Sequence, residues 1–251
     1  MYHIITIHHN QEKWLALQPK HLEMFASECK IWAYANGIHN FKKYKQHFHF
    51  LEKSGKLELK PCDPSSIGSR NHWTKLDKLT NLVLDTEAED EDVLVWLDSD
   101  SLLLKPLEEY AALKLQDYNF IAVQRPENNG DLIPHPSFAF CKAKFWRDNS
   151  LTWRGEVGNI SQGRLDSGGF LLNFFNENHE NWFKMLRTKS LTEHDLWFTI
   201  YDNFVYHHGA GSRQRACRAG NKNLKFNEQE MFNMISQRKG YEDFCWDDFV
   251  D

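Results

Sequence analysis

Apolar and polar positions along this chain follow two periods, one of strands and one of helices. Residues 2–7 are mostly apolar or β-branched, which predicts a first strand entering the core. Between Gln11 and about Ala35, the spacing of Trp14, Leu15, Leu17, Leu22, Met24, Phe25 and Trp32 predicts one or two amphipathic helices, broken or restarted at Pro19 and stopped by Gly37. Residues 41–51 carry spaced aromatics and read as a second strand, followed by the turn Lys53-Ser54-Gly55-Lys56 and a loop over 61–69. A helix over roughly 72–84 buries Trp73, Leu76, Leu79, Leu82 and Val83, and turns Lys75, Asp77 and Lys78 outward.

The longest apolar stretch is Val93-Leu94-Val95-Trp96-Leu97-Asp98-Ser99-Asp100-Ser101-Leu102-Leu103-Leu104, read as a buried central strand interrupted by two acids. Pro106 then opens a helix to about Leu115, residues 120–124 and 137–141 read as strands, and Asp166-Ser167-Gly168-Gly169 leads into the apolar run 170–175. A helix is expected near 182–186, a strand or helix over 197–206, a helix over 228–237, and an acidic, aromatic tail over 243–251. Strands alternating with helices in the first half predict an α/β fold whose nucleotide-binding half is a parallel, doubly wound, Rossmann-like sheet.

Composition narrows the function classes. With 251 residues, 41% hydrophobic and 26% charged, the chain reads as one ordinary globular domain. Within it, 1–105 are expected to form a nucleotide-binding half, 106–215 a second half richer in loops and aromatics, and 216–251 a terminal helix and tail. A formal charge of −5 supplies no basic footprint, so nucleic acid is not an expected partner. No apolar segment has the length of a membrane span or the form of a secretory leader, and the expected location is cytoplasmic. The five cysteines, Cys29, Cys62, Cys141, Cys217 and Cys245, are scattered and read as reduced thiols.

Candidate chemistry begins where the central run breaks. Carboxylates beside a buried strand are costly unless paired or metal-bound, and Asp98 and Asp100 fall at the carboxyl end of that strand, where open α/β sheets place ligands. Hard oxygens so spaced suit Mg²⁺ or Mn²⁺, and a metal there calls for phosphate. Asp90 and Asp92 have the same spacing but lie in the acidic run Asp85-Thr86-Glu87-Ala88-Glu89-Asp90-Glu91-Asp92, a solvated loop. The bland alternative for Asp98 and Asp100 is a turn pair ahead of Pro106.

Leu97-Asp98-Ser99-Asp100, the earlier Asn71-His72-Trp73-Thr74-Lys75-Leu76, the Asp166-Ser167-Gly168-Gly169 segment and the late Tyr206-His207-His208-Gly209-Ala210-Gly211-Ser212-Arg213 together resemble glycosyltransferases of the GT-A fold. Arg125-Pro126-Glu127-Asn128 and His135-Pro136-Ser137-Phe138 narrow the resemblance to a little-characterised microbial group. The match spans about residues 70–213. It implies a GT-A-like mixed sheet and transfer of a sugar from a nucleoside-diphosphate donor, of UDP or GDP type, to a hydroxyl acceptor such as a glycan. Mn²⁺ or Mg²⁺ would sit on the diphosphate. Carried over, Asp100 binds the metal, Asp98 supports it, and a late histidine completes the set. His207 and His208 point to opposite faces of a strand, and His208, which precedes the glycines, is favoured.

Further roles are expectations read from the residues within that frame. Thr6, His8, His9 and Asn10, after the first strand, are placed to receive base and ribose, and Ser99 lies between the acids on the donor side. Gly209 and Gly211 would let the backbone approach the diphosphate, Arg213 could clamp it, and Lys75 could reach the donor phosphates from its helix; the plain alternatives are a glycine turn with a surface arginine and an exposed helical lysine. A related family has His-x-x-Gly-x-x-Lys here; Gly211 keeps that distance from His208, but Arg213 comes one residue early. Asp166 is the expected base for the acceptor hydroxyl, with Asp195 in reserve, and either is alternatively a helix cap. Trp146, Trp153 and Trp182 are candidate sugar platforms, although aromatics more commonly fill cores.

Rival readings fit less well. A phosphohydrolase or a calcium loop conflicts with Leu102 and Leu103, which follow the acids. A sugar-phosphate nucleotidyltransferase would carry a Gly-rich, basic loop where His8-His9-Asn10-Gln11 stands. A sugar-binding module without turnover is the non-enzyme alternative, and would have no use for a nucleoside diphosphate.

Overall fold

The apolar opening of the chain forms strand β1 (Tyr2–His9) in a computed structural model that describes residues 1–9, 12–36, 69–127, 130–155, 167–190 and 199–209. Helix α1 (Glu12–Phe25) follows, with Pro19 inside it. The predicted helix does not continue to Ala35. Cys29–Asn36 is strand β2, parallel to β1 from Tyr2↔Cys29 to His9↔Asn36. Ile31, Ala33 and Ala35 enter one core while Trp32 enters the other. Apolar residues at nearly every position hid this period of two. The strand expected over 41–51, the helix over 228–237 and the tail over 243–251 lie outside the described residues.

Helix α2 (Ser69–Thr86) buries Trp73, Leu76, Leu79 and Val83 against β1 and β2, as its stripe predicts. Asp77 departs from its expected solvent-facing role. It accepts hydrogen bonds from the Thr152 hydroxyl and from the Trp153 amide (2.8 Å), and burial raises its pKa. One turn on, Thr80 accepts the indole N–H of Trp96 at 2.9 Å. These three bonds fix α2 against the body of the protein independently of its apolar stripe.

The central run is not one strand. It splits into β3 (Val93–Leu97) and β4 (Ser101–Leu103), which belong to different sheets. The remaining elements are α3 (Leu107–Lys114), β5 (Phe120–Val123), β6 (His135–Lys142), α4 (Ala143–Asp148), α5 (Gly169–Glu177), β7 (Phe183–Met185), β8 (Arg187–Ser190), β9 (Thr199–Tyr201) and β10 (Val205–His207). The larger sheet has the order β2-β1-β3-β6-β5-β7 and the smaller β4-β10-β9-β8. β2, β1 and β3 are parallel, as expected of the nucleotide-binding half, whereas β6 runs antiparallel to both β3 and β5. Both sheets draw strands from each side of residue 105, so pairing ties the two expected halves together.

Pro106 stands at the N-cap of α3 rather than inside it. The segment expected as a helix near 182–186 is instead β7, parallel to β5, because pairing with a buried neighbour decides so short a segment. Over 197–206 the choice falls to a hairpin: Asp202 and Asn203 have φ of 48° and 51°, and the Phe204 amide bonds the Tyr201 carbonyl at 2.9 Å. Two consecutive left-handed residues make the tight turn whose twist suits a hairpin, and Asp and Asn tolerate it.

Two cores flank the larger sheet. Ile4, Val93, Val95 and Leu97 pack with Leu15 and Leu22 of α1, whereas Ile5, Leu94 and Trp96 pack with Leu76 and Leu79 of α2. On the α2 side Trp96 meets Trp146 and Trp153 at ring-centroid distances of 4.3 and 5.2 Å. Among the described residues no helix is long and apolar enough to cross a membrane.

Two stability predictions follow from this packing. Gly168 has φ +98°, and a Cβ there would lie 2.1 Å from the Pro134 carbonyl oxygen. Gly168→Ala is therefore expected to cost at least about 2 kcal/mol, seen as a fall in Tm of roughly 4–8 °C for a domain of this size. His21, buried between α1 and β4 with Nδ1–H donating to the Leu103 carbonyl (3.4 Å), has its pKa pushed down from 6.5 to about 4 by burial. Below the unfolded value the unfolded chain binds a proton that the native state refuses, so stability falls with pH through that window. The loss is up to about 1.4 kcal/mol per pH unit for this group. Urea midpoints measured from about pH 7 to about pH 4.5 are expected to drop accordingly.

Candidate metal centre

The two acids sit at the joint between the sheets. β3 ends at Leu97, and the Asp98 amide bonds the Ser137 carbonyl on β6 at 3.1 Å. The chain then turns, the Ser101 amide bonding the Asp98 carbonyl at 2.9 Å, before β4 begins. Gln18 of α1 closes the turn from one side: its amide donates to the Asp98 carbonyl at 2.7 Å and to the Ser101 carbonyl at 3.3 Å. A buried glutamine bonding carbonyls that no ladder serves satisfies groups that would otherwise destabilise the fold.

The late histidines reach this joint through strand pairing. β10 lies antiparallel to β4 with His207 opposite Ser101, and the His208 amide bonds the Asp100 carbonyl at 2.9 Å. Register therefore brings a segment more than a hundred residues away beside the acids. Alternation along the strand decides which ring faces them.

It is His207, and this corrects the preference for His208. His207 Nε2 lies 3.6 Å from Asp100 Oδ1 and 3.8 Å from Asp98 Oδ2, and one ligand atom of each residue lies within 4.8 Å of the other two. The two imidazole-to-carboxylate separations are too long for hydrogen bonds. They lie between the ~3 Å and ~4 Å expected of adjacent and opposite ligands around an octahedral ion bonded at about 2.1 Å. His208 points the other way, where its fully buried ring is hydrogen-bonded through Nδ1 to the Tyr206 hydroxyl (2.8 Å) and packs edge-on to Trp14.

Thr6 and His8 also depart from expectation. Both are fully buried and share the Ile4 face of β1, toward α1, so neither offers surface to a base or ribose. His8 lies against Gln18 and Asp100, and burial pushes its pKa down to about 3 despite both. Its role is to fill the joint from beneath as a neutral ring. Ser99 is buried between the acids, and Lys75 is half-buried on α2. The His9 side chain and all of Asn10, Asp166, Asp195, Gly211 and Arg213 lie outside the described residues. The glycine segment after Asp166 does not leave open space at Gly168, where the Pro134 carbonyl fills it. Trp146, Trp153 and Trp182 are core residues, at most 5% exposed, and cannot serve as sugar platforms.

Three residues beside the acids were not singled out from the sequence. His72, on the first turns of α2, places Nε2 3.3 Å from Asp98 Oδ1. His135, the first residue of β6, accepts the Ser137 amide at Nδ1 (3.1 Å), and its ring centre lies 6.1 Å from that of His207. Burial, then Arg125, His207 and His72, hold the His135 pKa well below the ordinary value. Both histidines stand within motifs that carried the resemblance, which was their only signal. Gln18 had none, since a glutamine on an apolar helix face beside a proline looks like any polar break.

No protein-family model matches the chain, and no curated protein matches it. Solved structures do. The glycosyltransferase GlyE of Streptococcus pneumoniae TIGR4 aligns at 15% identity over 74% of this chain and 46% of its own, with a TM-score of 0.44. TarS 1–349 of S. aureus, in complex with UDP-GlcNAc, aligns at 14% identity over 61% of this chain and 48% of its own (TM-score 0.40). The mannosyltransferase PcManGT from Pyrobaculum calidifontis, in complex with GDP-Man and Mn²⁺, aligns at 9% identity over 73% and 54% (TM-score 0.46). These structural neighbours are glycosyltransferases. The chain spans about half the length of each. Its own α/β architecture, a mixed parallel and antiparallel sheet, agrees with the fold that the GT-A resemblance implies.

The two histidines are separable by experiment. His207→Ala is expected to weaken Mn²⁺ binding, read by titration calorimetry, by at least about tenfold, because it deletes one of the three candidate ligand atoms. His208→Ala is expected to leave that affinity within about threefold while lowering Tm, because it empties a buried, hydrogen-bonded site.

Proposed function

We propose that this chain is a glycosyltransferase that moves a sugar from a nucleoside-diphosphate sugar, of UDP or GDP type, to a hydroxyl acceptor such as a glycan. In this reading Asp98, Asp100 and His207 hold Mn²⁺ or Mg²⁺ on the diphosphate. The observation that carries it is the convergence of those three side chains just beyond the carboxyl end of β3. β1 lies between β2 and β3, so the order of connection reverses there, and open sheets of this type bind their ligands at that crevice. Two hard carboxylates with one imidazole suit a divalent ion that also binds phosphate oxygens.

The chemistry asked of the ion is Lewis acidity, which stabilises the charge that develops on the departing diphosphate. The protein's part is to hold its ligands still. Asp98 and Asp100 are anchored through backbone bonds to Ser137, Gln18 and His208, and His207 is carried by the β10 ladder. Fixed dipoles and charges of this kind lower a barrier because they need no reorganisation as the reaction proceeds. Lys75, from α2, and Ser99, between the acids, are assigned to the donor side, and Gly211 and Arg213 to the diphosphate. Asp166, with Asp195 in reserve, is assigned to take the acceptor's proton. Such a base contributes about 10²–10⁴-fold to the rate.

The test begins with melting curves of the full chain with UDP, GDP and their sugars, with and without Mn²⁺. A nucleoside diphosphate is expected to raise Tm only when the metal is present. Asp100→Asn is expected to abolish that increment and to lower metal-dependent donor hydrolysis or transfer by at least about 10³-fold. Undiminished turnover by this variant would overturn the reading.

A further inference from the structure

The backbone of Asp98 is held on both sides, and its carboxylate is held by none of those bonds. Its amide is fixed by Ser137, and its carbonyl by Gln18 and Ser101. These bonds settle the backbone and leave the side-chain torsions open. The carboxylate has two sides: Oδ2 lies 3.8 Å from His207 Nε2, toward the cluster shared with Asp100, and Oδ1 lies 3.3 Å from His72 Nε2.

We propose that His72 is the positioning residue of this centre: from α2 it engages Asp98 Oδ1 and so turns Oδ2 alone toward the ion shared with Asp100 and His207. The inference rests on the reading that these three residues hold a divalent cation. His72 is not itself part of the three-residue cluster, so it acts through Asp98.

Three observations support the assignment. The first is the rigidity of the platform, since α2 is bonded to the body of the protein at Asp77 and Thr80, one and two turns beyond His72. A ring carried on such a helix holds its partner in place at little further entropic cost. The second is direction. Gln18 reaches the joint from α1, on one face of the sheet, and His72 from α2, on the other, so Asp98 is gripped from both faces, by its carbonyl and by its carboxylate. The third is chemical: His72 Nε2 stands 3.3 Å from Oδ1, and in the tautomer that carries its proton there it would compete with a metal for that oxygen and favour ligation through Oδ2.

Mn²⁺ binding to the nucleotide-free full chain, followed by electron paramagnetic resonance of the unbound ion, tests the assignment. His72→Leu removes the donor, and His72→Gln keeps an N–H donor at comparable reach. His72 is 31% exposed, so neither change is expected to move the metal-free Tm appreciably. His72→Leu is expected to weaken Mn²⁺ binding about 10–100-fold, and His72→Gln to restore it to within about threefold of the unaltered chain. Equal affinity in His72→Leu and the unaltered chain would overturn the inference and leave the metal centre standing. So would an equal loss in both variants accompanied by a lowered Tm, which would mark a merely structural residue. An unaltered chain that binds no Mn²⁺ would instead overturn the metal centre, and this inference with it.

Discussion

The structure depends on one joint, where a continuous apolar run is divided between two sheets. β3 is buried on both faces of the larger sheet and β4 opens the smaller, so the four residues between Leu97 and Leu102 must change partners within a single turn. Backbone groups that leave one ladder and have not reached the next are expensive to bury unbonded. Here Ser137, Gln18 and the His208 amide take them up. Each comes from a different element, so the joint is defined by β6, α1 and β10 together. The acids ride on it with little freedom left in their backbone.

Electrostatics at the joint points the same way. Two carboxylates lie close together and largely out of water, an arrangement that calls for positive charge. His8 and His135 do not supply it, because burial holds each below its ordinary range and both remain neutral near pH 7. A divalent ion would supply positive charge at this pair. A nitrogen and two carboxylate oxygens already stand at separations suited to one.

The packing on either side serves this geometry. On one face α1 delivers Leu15 and Leu22 to the core and Gln18 to the joint. On the other, Trp96, Trp146 and Trp153 pack beneath α2, with Trp96 bonded to Thr80 and the Trp153 amide bonded to Asp77. Trp146 and Trp153, two of the candidate sugar platforms, are thus part of the packing under the helix that carries His72. Gly168 belongs to the same assembly: its amide meets the Trp153 carbonyl, and the space where its side chain would stand is filled by Pro134.

What could be read without coordinates was whatever lay close together along the chain. The opening strand, the α2 stripe, the strand pattern at 120–124 and the two acids interrupting an apolar run are all local, because burial period and misplaced charge show within a dozen residues. β2 escaped because apolar or aromatic side chains at nearly every position erase the difference between a strand and a helix, and β7 because three residues hold too little pattern to decide. Tertiary structure alone determined that the central run serves two sheets, that Asp77 faces inward, and that His207 rather than His208 meets the acids. It also brought Gln18 and His72 to Asp98. These outcomes depend on strand register and on contacts between residues dozens to more than a hundred positions apart. Shifting that register by one residue would exchange the faces of the two histidines without changing a letter of the sequence.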